Sequence, residues 1–148
     1  MLTIIRSFKM KTISQIFSEL YDKVLIRYQN SSQQNQQLPD LSANDEHYIN
    51  LLYELKKPTL TSFAEKAQIS KPAATRIIHR FFKKGYLSKQ PSLTDKRVSY
   101  LKLSKELQVY CRNSYQLFDQ VFLDCISILS KEEQDQLEYL INKVNQKI

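Results

Sequence analysis

The chain has one glycine, four prolines, two cysteines and no tryptophan in 148 residues. So little glycine and proline argues against a loop-rich β protein, and helix should dominate. The same shortage removes the glycine-rich phosphate loop. With no nucleophile elbow and no histidine beside a cysteine in one motif, little room is left for an enzyme. Two cysteines cannot build a disulfide framework, and they point to a reducing interior. The two histidines, His47 and His79, are expected in different helices, without the spacing of a zinc site, so no metal and no cofactor is expected. No apolar run approaches the roughly 20 residues that span a bilayer. Residues 1–10 carry apolar Leu2, Ile4, Ile5 and Phe8 but are interrupted by Arg6 and Lys9 and lack a small-residue cleavage site, so no cleavable leader is expected. These features imply a soluble, cytoplasmic protein without a membrane partner.

What the chain does have is positive charge in one place. Residues 56–102 contain twelve Lys or Arg against two acids, Glu65 and Asp95, while the remainder is slightly acidic. The whole formal excess of +7 therefore sits in about one third of the chain. Such concentration suits a module that neutralises a nucleic-acid backbone, because each phosphate contact releases counterions locally.

The apolar pattern is helical. Ile13, Ile16, Phe17, Leu20, Tyr21, Val24, Leu25 and Tyr28 form the stripe of a first amphipathic helix. The polar tract from Gln29 to Gln37 lacks periodicity and reads as a flexible connector. Ser42 and Asp45 resemble a capping box that opens a helix through Ile49, Leu51, Leu52 and Leu55, ended by Pro58. Thr59 to Ala67 is a short helix with Leu60, Phe63, Ala64 and Ala67 inward. After a tight turn Ser70 caps the next helix, which holds Pro72 in its first turn and runs to Lys84, where Gly85 stops it. Two short helices joined by a tight turn, the second basic and exposed, make a helix-turn-helix. Tyr86 to Gln90 and Val98 to Leu103 read as a hairpin around PSLTDKR. Ser104 caps a long helix with a heptad seam of Leu107, Cys111, Ser114, Phe118, Val121, Cys125 and Ile128. Ser130 and Glu133 box the start of a last helix through Leu137, Leu140, Ile141 and Val144.

Helical rotation of about 100° per residue places Ala74, Ile77, Ile78 and Phe81 on one side of the basic helix. Pro72, Thr75, Arg76, His79, Arg80 and Lys83 fall on the other. That outer face suits a major groove: Arg pairs with guanine O6 and N7, Thr touches a thymine methyl, and Lys meets phosphate. Ser70 and the first-turn amides suit a phosphate oxygen at the positive helix end. In the hairpin tip Asp95 and Arg97, two apart, would share one side of an extended strand, with the carboxylate orienting the guanidinium beside Lys96 for a minor groove.

The stretch from Leu41 to Leu103, through Ser70-Lys71, Thr75-Arg76, Lys84-Gly85-Tyr86 and Asp95-Lys96-Arg97, resembles the winged helix-turn-helix of the MarR family of bacterial transcription regulators. The tail LSKEEQDQLEYLINKV is similar to that family's last helix. The resemblance implies a mainly α fold with a small β-hairpin wing. Its expected domains are an N-terminal dimerisation helix and polar linker over 1–37, a winged helix-turn-helix DNA-binding domain over 38–103, and C-terminal dimerisation helices over 104–148. It further implies a homodimer on double-stranded DNA, with Ser70, Lys71, Thr75, Arg76, His79, Arg80, Lys83, Asp95, Lys96 and Arg97 as contact residues. One departure is Leu107, near where the family has a glycine.

Relatives that bind a small aromatic or lipophilic effector do so between the dimerisation helices and the winged domain. Here that would involve Tyr21, Tyr28, His47, Tyr48, Tyr110 and Tyr115. The resulting reading is a sequence-specific regulator, a ligand-responsive repressor on a pseudo-palindromic operator. Two alternatives stand beside it: thiol-based redox sensing through Cys111 or Cys125, and a winged-helix module for protein contact.

Overall fold

A computed structural model describes residues 10–35 and 41–148. Residues 1–9 and the expected domain boundary after Gln37 lie outside the described residues. The element order is α1 (Ile13–Asn35), α2 (Ala43–Glu54), α3 (Leu60–Ala67), α4 (Lys71–Lys83), β1 (Leu87–Pro91), β2 (Ser99–Leu103), α5 (Lys105–Cys125) and α6 (Lys131–Asn145). These fall into two compact units. One is the winged unit, Gln37–Tyr115, and the other combines α1 with residues from Gln116 onward. The winged unit thus extends beyond the expected end at residue 103, because the first half of α5 sends Leu107, Tyr110 and Cys111 into its core.

Within the winged unit, α2, α3 and α4 close over Ile49, Leu52, Phe63, Ala64, Ala74, Ile78 and Phe81, with Leu87, Leu101 and Leu103 of the hairpin beneath. Burying each large side chain of this set contributes about 1.5–3 kcal/mol. Each helix begins on a hydroxyl. The Ser42 side chain accepts from the Asp45 amide, Thr59 from Ser62, and Ser70 from Ala73. Thr59 and Ser62 form a reciprocal capping box that the sequence reading did not anticipate. Pro58 does not itself end α2. The helix closes at Glu54, and Lys56 takes the left-handed conformation two residues later, φ +58°.

The turn between α3 and α4 depends on Gln68, left-handed at φ +54°, and the stop of α4 on Gly85 at φ +73°. At that stop the Tyr86 amide donates to the Phe81 carbonyl and the Gly85 amide to that of Phe82. This paired arrangement satisfies carbonyls that would otherwise be orphaned, and it turns the chain directly into β1. The antiparallel hairpin pairs Leu87 with Leu103 and Pro91 with Ser99. It is tied back to the turn before α3 by the Leu101 amide, which donates to the Pro58 carbonyl at 2.7 Å. Ser104 caps α5 through the Leu107 amide, and Leu107 is buried in the core.

In the other unit, α1 runs without a break to Asn35. The expected connector is therefore helical over its first seven residues. Gln is a moderate helix former, the tract contains no Gly or Pro, and propagating an established helix costs far less than nucleating one. Val24 and Val121 are buried, and Tyr28 meets the Phe118 ring edge-on at 5.6 Å. Most of the α1 stripe, from Ile13 to Tyr21, is exposed, and α6, boxed by Ser130 and Glu133, has no buried residue. Of the long-helix seam, Ile128 falls beyond α5 and is exposed.

A Cβ added at Gly85 would meet no atom within 4 Å, so a substitution there is penalised only by its backbone angle. Gly85→Ala is expected to destabilise the protein by about 1 kcal/mol, and Gly85→Asn by less. Urea unfolding of the two variants checks this.

Candidate nucleic-acid interface

The basic helix α4 buries Ala74, Ile78 and Phe81, which leaves Lys71, Pro72, Thr75, Arg76, His79, Arg80 and Lys83 exposed. Thr75, Arg76, His79, Arg80 and Lys83 surround one shallow, open concavity of about 400 Å³. The sequence placed these residues on one face, and the structure does bring them together. Thr75 donates its hydroxyl proton to the Lys71 carbonyl at 2.9 Å, so its methyl and a lone pair remain for an outside partner. Ser70, besides capping α4, is exposed at the helix N-terminus, where backbone N–H groups favour an anion.

Arg80 is less free than the outer-face reading implied. Its Nη2 donates to Asp45 Oδ1 at 2.6 Å, and Lys84 Nζ reaches the other oxygen at 3.3 Å. Asp45 is 2% exposed. The expected capping box at α2 is therefore only half made, since the Asp45 carboxylate serves α4 and not the Ser42 amide. A signal for this existed in the sequence. Asp45 shares the α2 face of Ile49 and Leu52, at i, i+4 and i+7, and an acid on an apolar stripe needs a cation.

At the hairpin tip Asp95, Lys96 and Arg97 are all exposed. The expected extended strand is instead a turn: the Val98 amide donates to the Asp95 carbonyl at 3.1 Å. The Asp95 carboxylate accepts from the backbone N–H of Arg97 at 2.9 Å, and no ion pair joins it to the Arg97 guanidinium among the described residues. Asp95 thus shapes the backbone that carries Arg97, as Asp commonly does two residues ahead of a turn amide. Ser92 supports the same loop by accepting from the Thr94 and Asp95 amides.

The six residues expected to line an effector pocket do not gather in one cavity of the winged unit. Tyr21 and Tyr28 belong to the other unit, where Tyr21 stacks on Phe17. His47 is exposed beside Tyr48, and Tyr48 packs against Phe63. Tyr110 is buried and donates to Glu46. Only Tyr115 borders the large cleft of the winged unit, about 800 Å³, which lies beside the hairpin and the turn before α3 and includes Tyr53, Lys57, Leu93 and Tyr100. Tyr115 stacks on Tyr53 and donates to Glu54. Burial and this acceptor hold the phenol proton well above its ordinary range, and the bonds from Lys66 and then Tyr115 hold the Glu54 carboxyl below its own. Periodicity could not show this cleft, because it is made by a turn and a strand edge far apart in the chain.

The cysteines differ in environment. Cys111 is buried, its thiol donates to Asn50 at 3.6 Å, and burial followed by the Glu46 charge pushes it up to about 11. Cys125 is partly exposed, and Arg27 Nη1 donates to its sulfur at 3.7 Å. The sequence reading missed Arg27, which lies 98 residues away in the chain. Among the described residues there is no cluster of His, Cys, Asp or Glu able to hold a metal, and no helix long and apolar enough to cross a membrane.

Comparison with known proteins bears on the same segment. Residues 41–99 match the model of the MarR family. Over that segment the chain is similar to the MarR family. No curated protein matches it by sequence. Among solved structures, Streptococcus pneumoniae FabT in complex with DNA is 19% identical with a TM-score of 0.69, over 90% of this chain and 93% of that one. S. aureus MepR bound to ethidium bromide is 19% identical with a TM-score of 0.66, over 93% and 96%. The reduced form of MarR from E. coli is 20% identical with a TM-score of 0.57, over 92% and 98%. At these identities the likeness is one of fold, and the described residues form six helices and a two-stranded hairpin.

Proposed function

We propose that this protein is a sequence-specific, DNA-binding transcriptional regulator that binds a pseudo-palindromic operator as a homodimer and represses until a small molecule releases it. The observation that carries the reading is the outer face of α4, where Thr75, Arg76, His79 and Lys83 converge on one concavity opposite a buried apolar face. Their chemistry matches base edges and phosphates of a major groove. Lys96 and Arg97 on the wing add cations at the reach of a neighbouring minor groove. FabT, similar in fold, is a structure in complex with DNA.

Exposed apolar side chains support the dimer. Ile13, Phe17, Leu140, Ile141 and Val144 all stand more than half exposed, a surface that a second copy would cover. The cleft of about 800 Å³ is within the usual size of a ligand site, which supports a small effector. Repression is the simplest consequence of a dimer seated over promoter DNA. A protein-contact role for the winged domain would not need so many cations on one helix face.

Half-sites about one helical turn apart are expected from the two-fold symmetry. Arg76→Ala should weaken the preferred operator by roughly 1–3 kcal/mol and relax base preference locally, whereas Lys83→Ala should weaken all duplexes alike. Fluorescence anisotropy on the selected and a scrambled duplex separates these outcomes. Equal losses on both duplexes for Arg76→Ala would remove it as a base reader.

A redox form of the same regulation rests on Cys125, which combines partial exposure with the Arg27 cation, and not on Cys111. On that reading peroxide releases the duplex from the wild-type chain but not from Cys125→Ser. Release from both would exclude it.

A further inference from the structure

We propose that Asp45 is a positioning residue for duplex recognition: buried under the last turn of α4, it fixes the Arg80 guanidinium and the set of that turn without meeting nucleic acid itself. This rests on the DNA-binding reading above and names a residue outside the contacting surface on which selectivity depends.

A carboxylate at 2% exposure among Ile49 and Leu52 is costly unless both oxygens are paired. Here both are, and by two residues four apart on one helix end. Arg80 takes Oδ1 and Lys84, the C-terminal cap residue of α4, takes Oδ2. The carboxylate therefore clamps the final turn of α4 from below. Arg80 remains 48% exposed in its side chain and Lys84 44%, so the two cations reach inward from the surface and keep part of their heads outside. A guanidinium has five N–H donors in a rigid fork, and anchoring one edge fixes the direction of the rest. Arg80 also borders the concavity that Thr75, Arg76, His79 and Lys83 line. The Arg80 guanidinium also lies 5.5 Å from the Phe81 ring centre and the Lys84 ammonium 5.6 Å from that of Tyr86, which further limits their freedom.

Charge alone makes the opposite prediction. An acid directly behind a basic helix weakens that helix's attraction for phosphate, so its removal should tighten binding to every duplex. A purely structural brace makes a third, since loosening α4 would weaken specific and nonspecific binding together. Positioning predicts a loss confined to the specific complex.

The test uses the full chain and the duplex that the wild-type protein selects from a random pool, with a scrambled duplex as comparison. Asp45→Asn is expected to weaken the selected duplex at least tenfold while the scrambled one is bound as before or more tightly. In an Arg80→Gln background the same substitution should cost much less selected-duplex affinity than in the wild type, since the two residues share the Asp45–Arg80 contact. Tighter binding to both duplexes, equal weakening of both, or penalties that multiply in the double variant would each overturn the proposal. Should Asp45→Asn fail to fold, Asp45→Glu keeps the charge but moves the guanidinium. It should lower the ratio of selected to scrambled affinity, and an unchanged ratio would count against positioning. A wild-type chain that selects no sequence overturns the DNA-binding reading and this proposal with it. A selective wild type with an indifferent Asp45→Asn overturns the proposal alone.

Discussion

The winged unit depends on α4 having one face that must be dry and one that must not. Ala74, Ile78 and Phe81 fill the space between α2, α3 and the hairpin, and their burial fixes the rotation of the helix about its axis. Once that rotation is fixed, the side chains of Thr75, Arg76, His79 and Lys83 have only one direction in which to point. The cap at Ser70 and the left-handed Gly85 fix where the helix starts and stops, and the paired hydrogen bonds at Phe81 and Phe82 send the chain straight into β1. The wing is thereby held at a set distance from the helix by backbone geometry, and the Leu101 to Pro58 hydrogen bond adds a second tether.

The cationic surface carries its own internal constraint. Positive charges crowded on one helix repel each other, and Asp45 relieves part of that repulsion at the C-terminal end, where both Arg80 and Lys84 pair with it. Lys71 and Arg76 lack such a partner among the described ion pairs, as do Lys83, Lys96 and Arg97. On the proposed reading the partners of these free cations are phosphates and base edges. The other unit shows the complementary imbalance, with apolar side chains on α1 and α6 that its own packing leaves in water.

The α4 face was legible in the sequence because a 3.6-residue period places residues by arithmetic, and the caps at Ser42, Ser70, Ser104 and Ser130 were legible because a hydroxyl before an apolar run has a local cause. Contacts between distant segments were not. The pairing of Asp45 with Arg80 spans 35 residues and that of Arg27 with Cys125 spans 98. The Asp95 carboxylate was misassigned for a subtler reason: two-residue spacing means a shared side only in an extended strand, and here the backbone turns. The polar tract after Tyr28 lacked periodicity because its helix needs none. A segment with no apolar face to bury can still continue a helix that others have nucleated.

The central claim is that α4 and the wing form one cationic surface for a duplex, and the salt dependence of duplex affinity tests it most directly. Each phosphate neutralised contributes about −0.9 to the slope of log affinity against log salt. With Lys71, Arg76, Arg80, Lys83, Lys96 and Arg97 facing outward, the account predicts a slope of magnitude at least about 4 for the full chain on a duplex of about 30 base pairs. A flat slope, or no measurable binding at low salt, would contradict it.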